Sequence, residues 1–326
     1  MQRTVHVDRL GLKTFIETWI CKHSGIRIDV RAVLVTWLLT VGFAAVYAQD
    51  VEPRAYSRAP IGAKTVVMSY GFQYGDVLTD SALPISDVDI KLNSGILGYA
   101  HTFGIFRKQA NLAVAIPYFH GWAKGTVFEE QLEVRRSGLG DARLRFTAML
   151  RGAPALDRKE FASAKPKTLI GISVSVSAPT GQYDPRRLVN LGSNRWAFKP
   201  EVGISKPIGK WTVELASGVW LFTDNKDYFG GFKRKQDPLF SFQAHTSYTI
   251  RPRMWVAIGG TYFSGGKTTV NSIANADQKS NSRIGATFAY PLTGRQSLKF
   301  AWMRGLVTRF GTDMNFYGIG WQYTWF

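Results

Sequence analysis

The sequence has one cysteine, Cys21, and no apolar run long enough to form a membrane helix. A single cysteine excludes a disulfide scaffold and a cysteine-held metal centre. A membrane helix needs about 18 or more apolar residues in a row. The longest candidate, 32–45, is shorter and is interrupted by Thr36, Thr40 and Gly42. Acids are scarce too: 23 Asp and Glu stand against 41 Lys and Arg, for a formal net charge of +18. In a cytoplasmic protein that balance points to nucleic acid, but no zinc-finger, helix-turn-helix or aromatic-basic RNA motif occurs, and no nucleic-acid partner is expected. The remaining reasons for the charge are anionic lipid, anionic solutes or a basic lumen.

The apolar run at 32–45 follows Arg27 and Arg31 and leads to Val46-Tyr47-Ala48, a small-residue cleavage pattern. Residues 1–48 therefore read as a leader with a signal peptide, cut after Ala48. Cys21 lies in it, so the exported chain carries no cysteine, as suits a protein that crosses an oxidising periplasm unfolded. The first 31 residues hold six basic and three acidic side chains, which leaves about +15 for the rest. Residues 49–63 form a short N-terminal segment without assigned role, and 64–326 the folded unit.

From residue 64 onward the dominant pattern is a period of two. Ile170, Ile172, Val174 and Val176 alternate with Gly171, Ser173 and Ser175. Phe240, Phe242 and Ala244 alternate with Ser241, Gln243 and His245, and Leu298, Phe300 and Trp302 alternate with Ser297, Lys299 and Ala301. A period of two places each set on one face of a strand. Twelve such segments are predicted, near 64–74, 86–101, 109–120, 137–150, 166–177, 194–205, 210–222, 236–250, 253–264, 278–290, 295–305 and 313–326. The connections alternate between short (near 103–108, 206–210, 251–253 and 291–295) and long and polar (near 75–85, 121–136, 178–193, 223–235, 265–277 and 306–312). An even strand count with alternating turn lengths is the pattern of an all-β, antiparallel, up-and-down transmembrane barrel of about twelve strands. One turn, 151–165, is long for the periplasmic side. The chain closes on Trp321, Tyr323 and Trp325 in one phase, with Phe326 last, which suits a final strand with an interfacial aromatic girdle.

Charge decides which face meets lipid. A Lys or Arg facing the bilayer midplane costs about 2–4 kcal/mol. Arg143, Arg145, Lys199, Glu201, Glu214, Arg283 and Lys299 share the polar phase of their strands and are therefore placed in the lumen. A soluble barrel of the same strand count would invert the two faces.

A motif-rich stretch runs from Ser137-Gly138-Leu139-Gly140-Asp141 to Pro179-Thr180-Gly181-Gln182-Tyr183 and on through Asn190-Leu191-Gly192-Ser193-Asn194-Arg195-Trp196 to Pro200. Gly138 and Gly140 suit a bulge or close backbone approach. Asn190, Gly192 and Asn194 suit positive φ in a tight loop, and Trp196 and Phe198 an interfacial girdle. The stretch suits either a rigid brace or a ligand contact. Together these residues resemble the outer-membrane transporter family named for the MetA pathway of phenol degradation. The resemblance implies a barrel that passes hydrophobic or aromatic small molecules across the outer membrane.

Two other classes compete with transport. His245-Thr246-Ser247 has the spacing of an outer-membrane lipid hydrolase, with Ser247 as nucleophile and His245 as base. Both residues fall on the lumen phase, whereas lipid hydrolysis needs them facing lipid. A structural barrel would have its lumen sealed by pairs of Arg143 or Arg145 with Glu201 or Glu214. The other histidines beyond the leader, His101 and His120, show no metal spacing. The expectation is thus a non-enzymatic passive channel in the bacterial outer membrane, without cofactor or metal. Its partners are membrane lipid, a small hydrophobic or aromatic solute and the barrel-assembly machinery, and the loops at 75–85, 121–136 and 178–193 gate its outer mouth.

Overall fold

Alternating side chains bury one face of each strand, and an unpaired strand edge is unfavourable in lipid, so a ring of such strands closes on itself. The computed structural model, which describes residues 52–78, 85–127, 130–187 and 189–326, shows that ring. β1 (Lys64–Leu78) pairs with β2 (Ile85–Ile105) on one side and with β17 (Gly311–Trp325) on the other. The wall continues through β3 (Lys108–Val127), β4 (Glu130–Leu139), β5 (Arg143–Arg151), β6 (Leu169–Ser177), β7 (Ala197–Ile208) and β8 (Trp211–Phe222). β9 (Asn225–Tyr228) and β10 (Phe232–Gln236) leave the wall, which resumes with β11 (Leu239–Arg251) and β12 (Met254–Gly265). β13 (Thr268–Val270) and β14 (Ile273–Ala274) leave it again before β15 (Lys279–Pro291) and β16 (Gln296–Val307). Neighbouring staves are antiparallel, and β4 and β5 together make one, so twelve staves form a closed barrel.

The fourth stave departs from the sequence reading of a strand at 137–150 preceded by a loop at 121–136. β4 lies along the outer half of β3 and β5 along its periplasmic half, with a break at Gly140-Asp141-Ala142. Residues 121–127 and 130–136 are hairpin strand, not loop. Their side chains pair with one another, Lys124 to Glu133 at 3.2 Å and Arg135 to Glu133 at 2.5 Å, so apolar alternation is absent although the backbone is extended. β6 pairs with β5 but not with β4, so the far edge of β4 has no strand partner among the described residues. β6 and β7 begin at Leu169 and Ala197, three residues later than predicted. Inside the long outer connections, β9, β10, β13 and β14 make a separate small sheet in the order β14-β13-β10-β9.

The two faces divide as charge requires. Leu97, Val202 and Ile258 are 51%, 52% and 63% exposed on the outside, while Glu201, Gln243 and Arg283 are buried inside. On β17 Tyr317, Ile319, Trp321, Tyr323 and Trp325 share the outward phase, with stacked ring pairs at 6.3 and 5.8 Å. The long periplasmic turn contains α1 (Arg158–Ser163). A capping box starts it: Asp157 Oδ1 accepts from the amides of Lys159 and Glu160 at 2.8 Å, and Glu160 Oε2 accepts from the Asp157 amide at 3.0 Å. The leader lies outside the described residues. No described helix is long and apolar enough to cross a membrane.

Candidate functional site: a plugged lumen and a braced outer loop

Antiparallel register sets Arg145 opposite Ser175 and Ser175 opposite Lys199 across β5, β6 and β7. Glu201, two residues along β7 on the same inward face, takes both cations. Arg145 donates to its Oε1 at 2.9 Å, and the Lys199 ammonium lies 2.6 Å from its Oε2. Of the predicted Arg–Glu pairs, Arg145 with Glu201 forms. Glu214 instead accepts from the backbone N–H of Arg54 at 2.6 Å.

Arg54 belongs to residues 52–63, which the sequence reading left without a role and which the structure places inside the periplasmic half of the lumen. Glu52 forms an ion pair with Arg145. The Arg54 guanidinium donates to Ser247 Oγ at 3.2 Å and Thr249 Oγ1 at 2.7 Å, and sits 4.6 Å from the Trp255 ring. Tyr56 is 3% exposed, and its hydroxyl donates to Glu201 Oε1 at 3.0 Å. Its ring fills a notch left by two glycines of adjacent strands: a Cβ at Gly203 would come within 2.1 Å of it, and one at Gly171 within 2.7 Å. Burial and the Glu201 carboxylate push the Tyr56 hydroxyl up to about 12, so it stays a neutral donor. Below it, Gln109 accepts from the Ala59 amide at 2.9 Å and donates to the Ser57 carbonyl at 3.0 Å. Arg58 donates to the Lys165 carbonyl at 2.6 Å and lies 5.0 Å from the Phe161 ring. The long periplasmic turn is thus a socket for this plug. Arg54, Tyr56 and Arg58 recur at every second residue, the one sequence sign that the segment docks, although the chain turns at Arg54, where φ is 62°.

The motif residues build a brace toward the opposite end. The Asp141 carboxylate, 3% exposed, accepts from the Gly181 amide at 3.0 Å, the Ser193 amide at 2.9 Å and the Ser193 hydroxyl at 2.5 Å. It pins both ends of the loop 178–196 beside the break between β4 and β5. Thr180 Oγ1 accepts from the Ala142 amide at 2.9 Å, and the Gln182 amide donates to the Leu139 carbonyl at 2.8 Å. A tight turn centred on Pro179 joins Thr180 N–H to the Ala178 carbonyl at 2.8 Å, and the Gly140 amide donates to Pro117 O at 2.9 Å. Gly181 and Gly192 permit backbone contact, since a Cβ on Gly181 would sit 2.7 Å from Gly192 Cα. Of the three loop residues given positive φ, only Asn194 has it, at 52°. Asn190 is needed for its side chain, which accepts from Asp184 N–H at 2.8 Å and donates to Arg187 O at 2.8 Å. At Gly138, φ is 152° and the Gln182 side chain occupies the place of a Cβ. Tyr183 donates to the Asp227 carbonyl at 2.9 Å, tying the loop to β9. Trp196 is exposed and stacks on Phe198 at 6.3 Å, and Pro200 faces outward with them. These contacts make the motif a brace. They bind the loop at 178–193, expected as a gate, to the wall.

Arg195 lies beside this brace, 7% exposed. Its Nη2 donates to Gln236, its guanidinium sits 4.4 Å from the Phe222 ring, and Nη1 is buried with no hydrogen-bond partner among the described residues. Burial, with Arg234 nearby, pulls it down to about 9.

Above the plug lies a cavity of about 480 Å³. One side of its lining is charged: Arg143, Arg145, Lys199, Arg283, Lys299 and Glu52. The arc from β16 through β17, β1 and β2 to β3 is richer in apolar side chains, with Ile96, Ala113, Met303, Met314 and Phe316 beside the polar Ser69, Gln73 and Ser94. Arg283 donates to Thr312 Oγ1 at 3.1 Å. The Lys299 ammonium is open to the cavity and lies 5.9 Å from the Trp255 ring. His245 and Ser247 are buried in the lumen wall rather than facing lipid. The His245 Nε2 contacts Gln243 at 3.3 Å, while Ser247 Oγ receives Arg54. Among the described residues no group of His, Cys, Asp and Glu could hold a metal ion.

The fold has relatives of known structure. An outer membrane channel of the COG4313 group from Pseudomonas putida F1 superposes with a TM-score of 0.71 at 23% identity, covering 85% of this chain and 100% of that one. The transport unit of the autotransporter AIDA-I from Escherichia coli gives 0.52 at 8% identity, covering 90% and 98%. The KdgM porin gives 0.45 at 9%, covering 80% and 99%. No curated protein matches the chain in sequence. Residues 60–309 match the family described as the MetA-pathway of phenol degradation, and the chain belongs to that family.

Proposed function

We propose that this protein is an outer-membrane channel for the passive passage of small hydrophobic or aromatic molecules, exported through its leader and inserted by the barrel-assembly machinery. The observation that carries the reading is the cavity of about 480 Å³ above the plug, with many apolar side chains in its lining. A volume of this order suits a small solute, and an apolar wall inside an otherwise polar lumen has no structural need. The family description supports an aromatic solute, and the Pseudomonas putida F1 structure supports a channel role.

The test is single-channel conductance of the refolded protein in a planar bilayer, beside a variant with Arg143 and Arg145 replaced by Ala. Discrete steps whose ion selectivity shifts in the variant are expected. A silent membrane with both proteins would leave a sealed structural barrel and overturn the reading. No observation favours lipid hydrolysis, because the His245 and Ser247 side chains face inward and are engaged by Gln243 and Arg54.

A further inference from the structure

The lumen is unbalanced in charge. Five basic residues line the cavity, against Glu52 in the lining and Glu201 behind it. The imbalance continues upward. Lys279, 6% exposed, and Arg283 lie four residues apart on the inward face of β15, about 13 Å at strand rise. Arg195 and Lys199 bracket the start of β7 in the same way. The acids whose charges favour Arg195 and Lys279 have their hydrogen bonds elsewhere: Asp141 in the brace, Asp277 with the amide and hydroxyl of Thr268 at 2.7 and 2.6 Å, and Asp224 paired to Lys233 at 2.7 Å. Arg195, 93% buried, keeps Nη1 without a partner among the described residues. Buried positive charge is strongly unfavourable without an anion to meet it. The protein shows how a carboxylate is received here, since Glu52 of the plug sits on Arg145.

We infer that the solute is an amphipathic anion, a small carboxylate with an apolar body, which rests its body on the Ile96–Phe316 wall and passes its carboxylate down a ladder of cations from Arg195 and Lys279 to Lys199 and Lys299. This rests on the channel reading and sharpens it. A neutral aromatic molecule would gain from the apolar wall alone. An inorganic anion would gain from the ladder alone. Only a molecule with both parts uses both sides.

The probes are benzoate, its neutral and cationic counterparts benzyl alcohol and benzylammonium, and acetate, which lacks the apolar body. In a planar bilayer under a salt gradient, the full-length protein should show an anion-selective reversal potential. Benzoate should interrupt the current at about tenfold lower concentration than each of the other three. Lys299→Gln and Arg195→Gln should each weaken that block several-fold, and Lys299→Gln carries little folding risk because its side chain is open to the cavity. Equal block by benzoate and benzyl alcohol, or cation selectivity, would overturn the inference while leaving a channel. Should the bilayer stay silent, the channel reading fails, and quenching of tryptophan fluorescence decides this inference separately. Trp220 and Trp255 lie beside Lys199 and Lys299, each at 5.9 Å. Preferential quenching by benzoate would support an anion site, and identical responses to all four probes would refute it.

Discussion

At the periplasmic end the lumen is filled by a segment that reaches the wall mainly through side chains; at the outer end a loop is tied down mainly through its backbone. The lower contacts are chiefly the side-chain bonds and ion pair of Glu52, Arg54, Tyr56 and Arg58, with backbone bonds at Arg54, Ser57 and Ala59 beside them. The upper contacts are amides of Gly181, Gln182 and Ser193 held by Asp141 and Leu139. Amide donors meeting a buried carboxylate fix a geometry that cannot exchange partners with water without large loss. Long charged side chains in a wet lumen can exchange. The difference predicts rigidity at the outer end and opening at the inner end.

Four changes would break or sharpen this contrast. The largest effect is expected at Asp141→Ala, which strands two backbone amides and a hydroxyl in a buried place and should lower stability by about 2–4 kcal/mol. Denaturant unfolding of the lipid-reconstituted protein measures it, and a shift no greater than that of an exposed substitution would mean the brace is ornamental. Next is Gly203→Val, whose added Cβ would stand 2.1 Å from the Tyr56 ring. It should expel the plug and raise open-channel conductance severalfold, with Tyr56→Ala doing the same from the other partner. If neither alters the current, the segment does not close the path.

Acidification ranks third. Burial raises the Glu52 carboxyl, but Arg145, Lys199 and Arg143 outweigh it and hold the group below the ordinary 4.5. A lowered native pKa makes the contribution of the docked segment complete above that ordinary value and loses it as pH falls through the native one. Conductance should therefore stay flat from pH 7 down to the ordinary carboxylate range and rise only below it. An opening centred near neutrality would assign the closure to some other group. The smallest effect is expected for Ser247→Ala, which removes one acceptor from Arg54, worth about 1 kcal/mol. It should lengthen open events slightly and release no fatty acid from phospholipid vesicles relative to the parent. Lipid cleavage by the parent that Ser247→Ala abolishes would restore the hydrolase reading.

The barrel was legible because period two is written into most staves, as in Ile170–Val176 and Phe240–Ala244, and because a lipid-facing Arg or Lys is so unfavourable that the charged phase names the lumen. The break at Gly140-Asp141-Ala142 was not legible, since Ser137–Leu150 keeps strand-like composition through a point where the partner strand ends. The hairpin above it escaped because beyond the membrane both faces meet water and alternation vanishes. The brace was visible as a motif but not as a mechanism: Asp141 and Ser193 are 52 residues apart, and only folding brings the carboxylate to the amide. The plug was hidden most fully. Its partners are spread over β3, β5 to β8, β11 and the turn before β6, and a segment that borrows its order from so many strands has no periodicity of its own beyond Arg54, Tyr56 and Arg58.

The attachment of the plug to β1 bears on reversibility. Tyr56 stands eight residues before Lys64, the first residue of a strand held on both edges by β2 and β17. An extended chain spans at most about 3.3–3.6 Å per residue, so this leash can pay out to about 27 Å. The stopper can leave the lumen toward the periplasm without any stave unzipping, and it returns at the high effective concentration of a tethered ligand. On the channel reading, each opening would thus be a local, repeatable excursion within one molecule, with reclosing independent of how many copies the membrane holds.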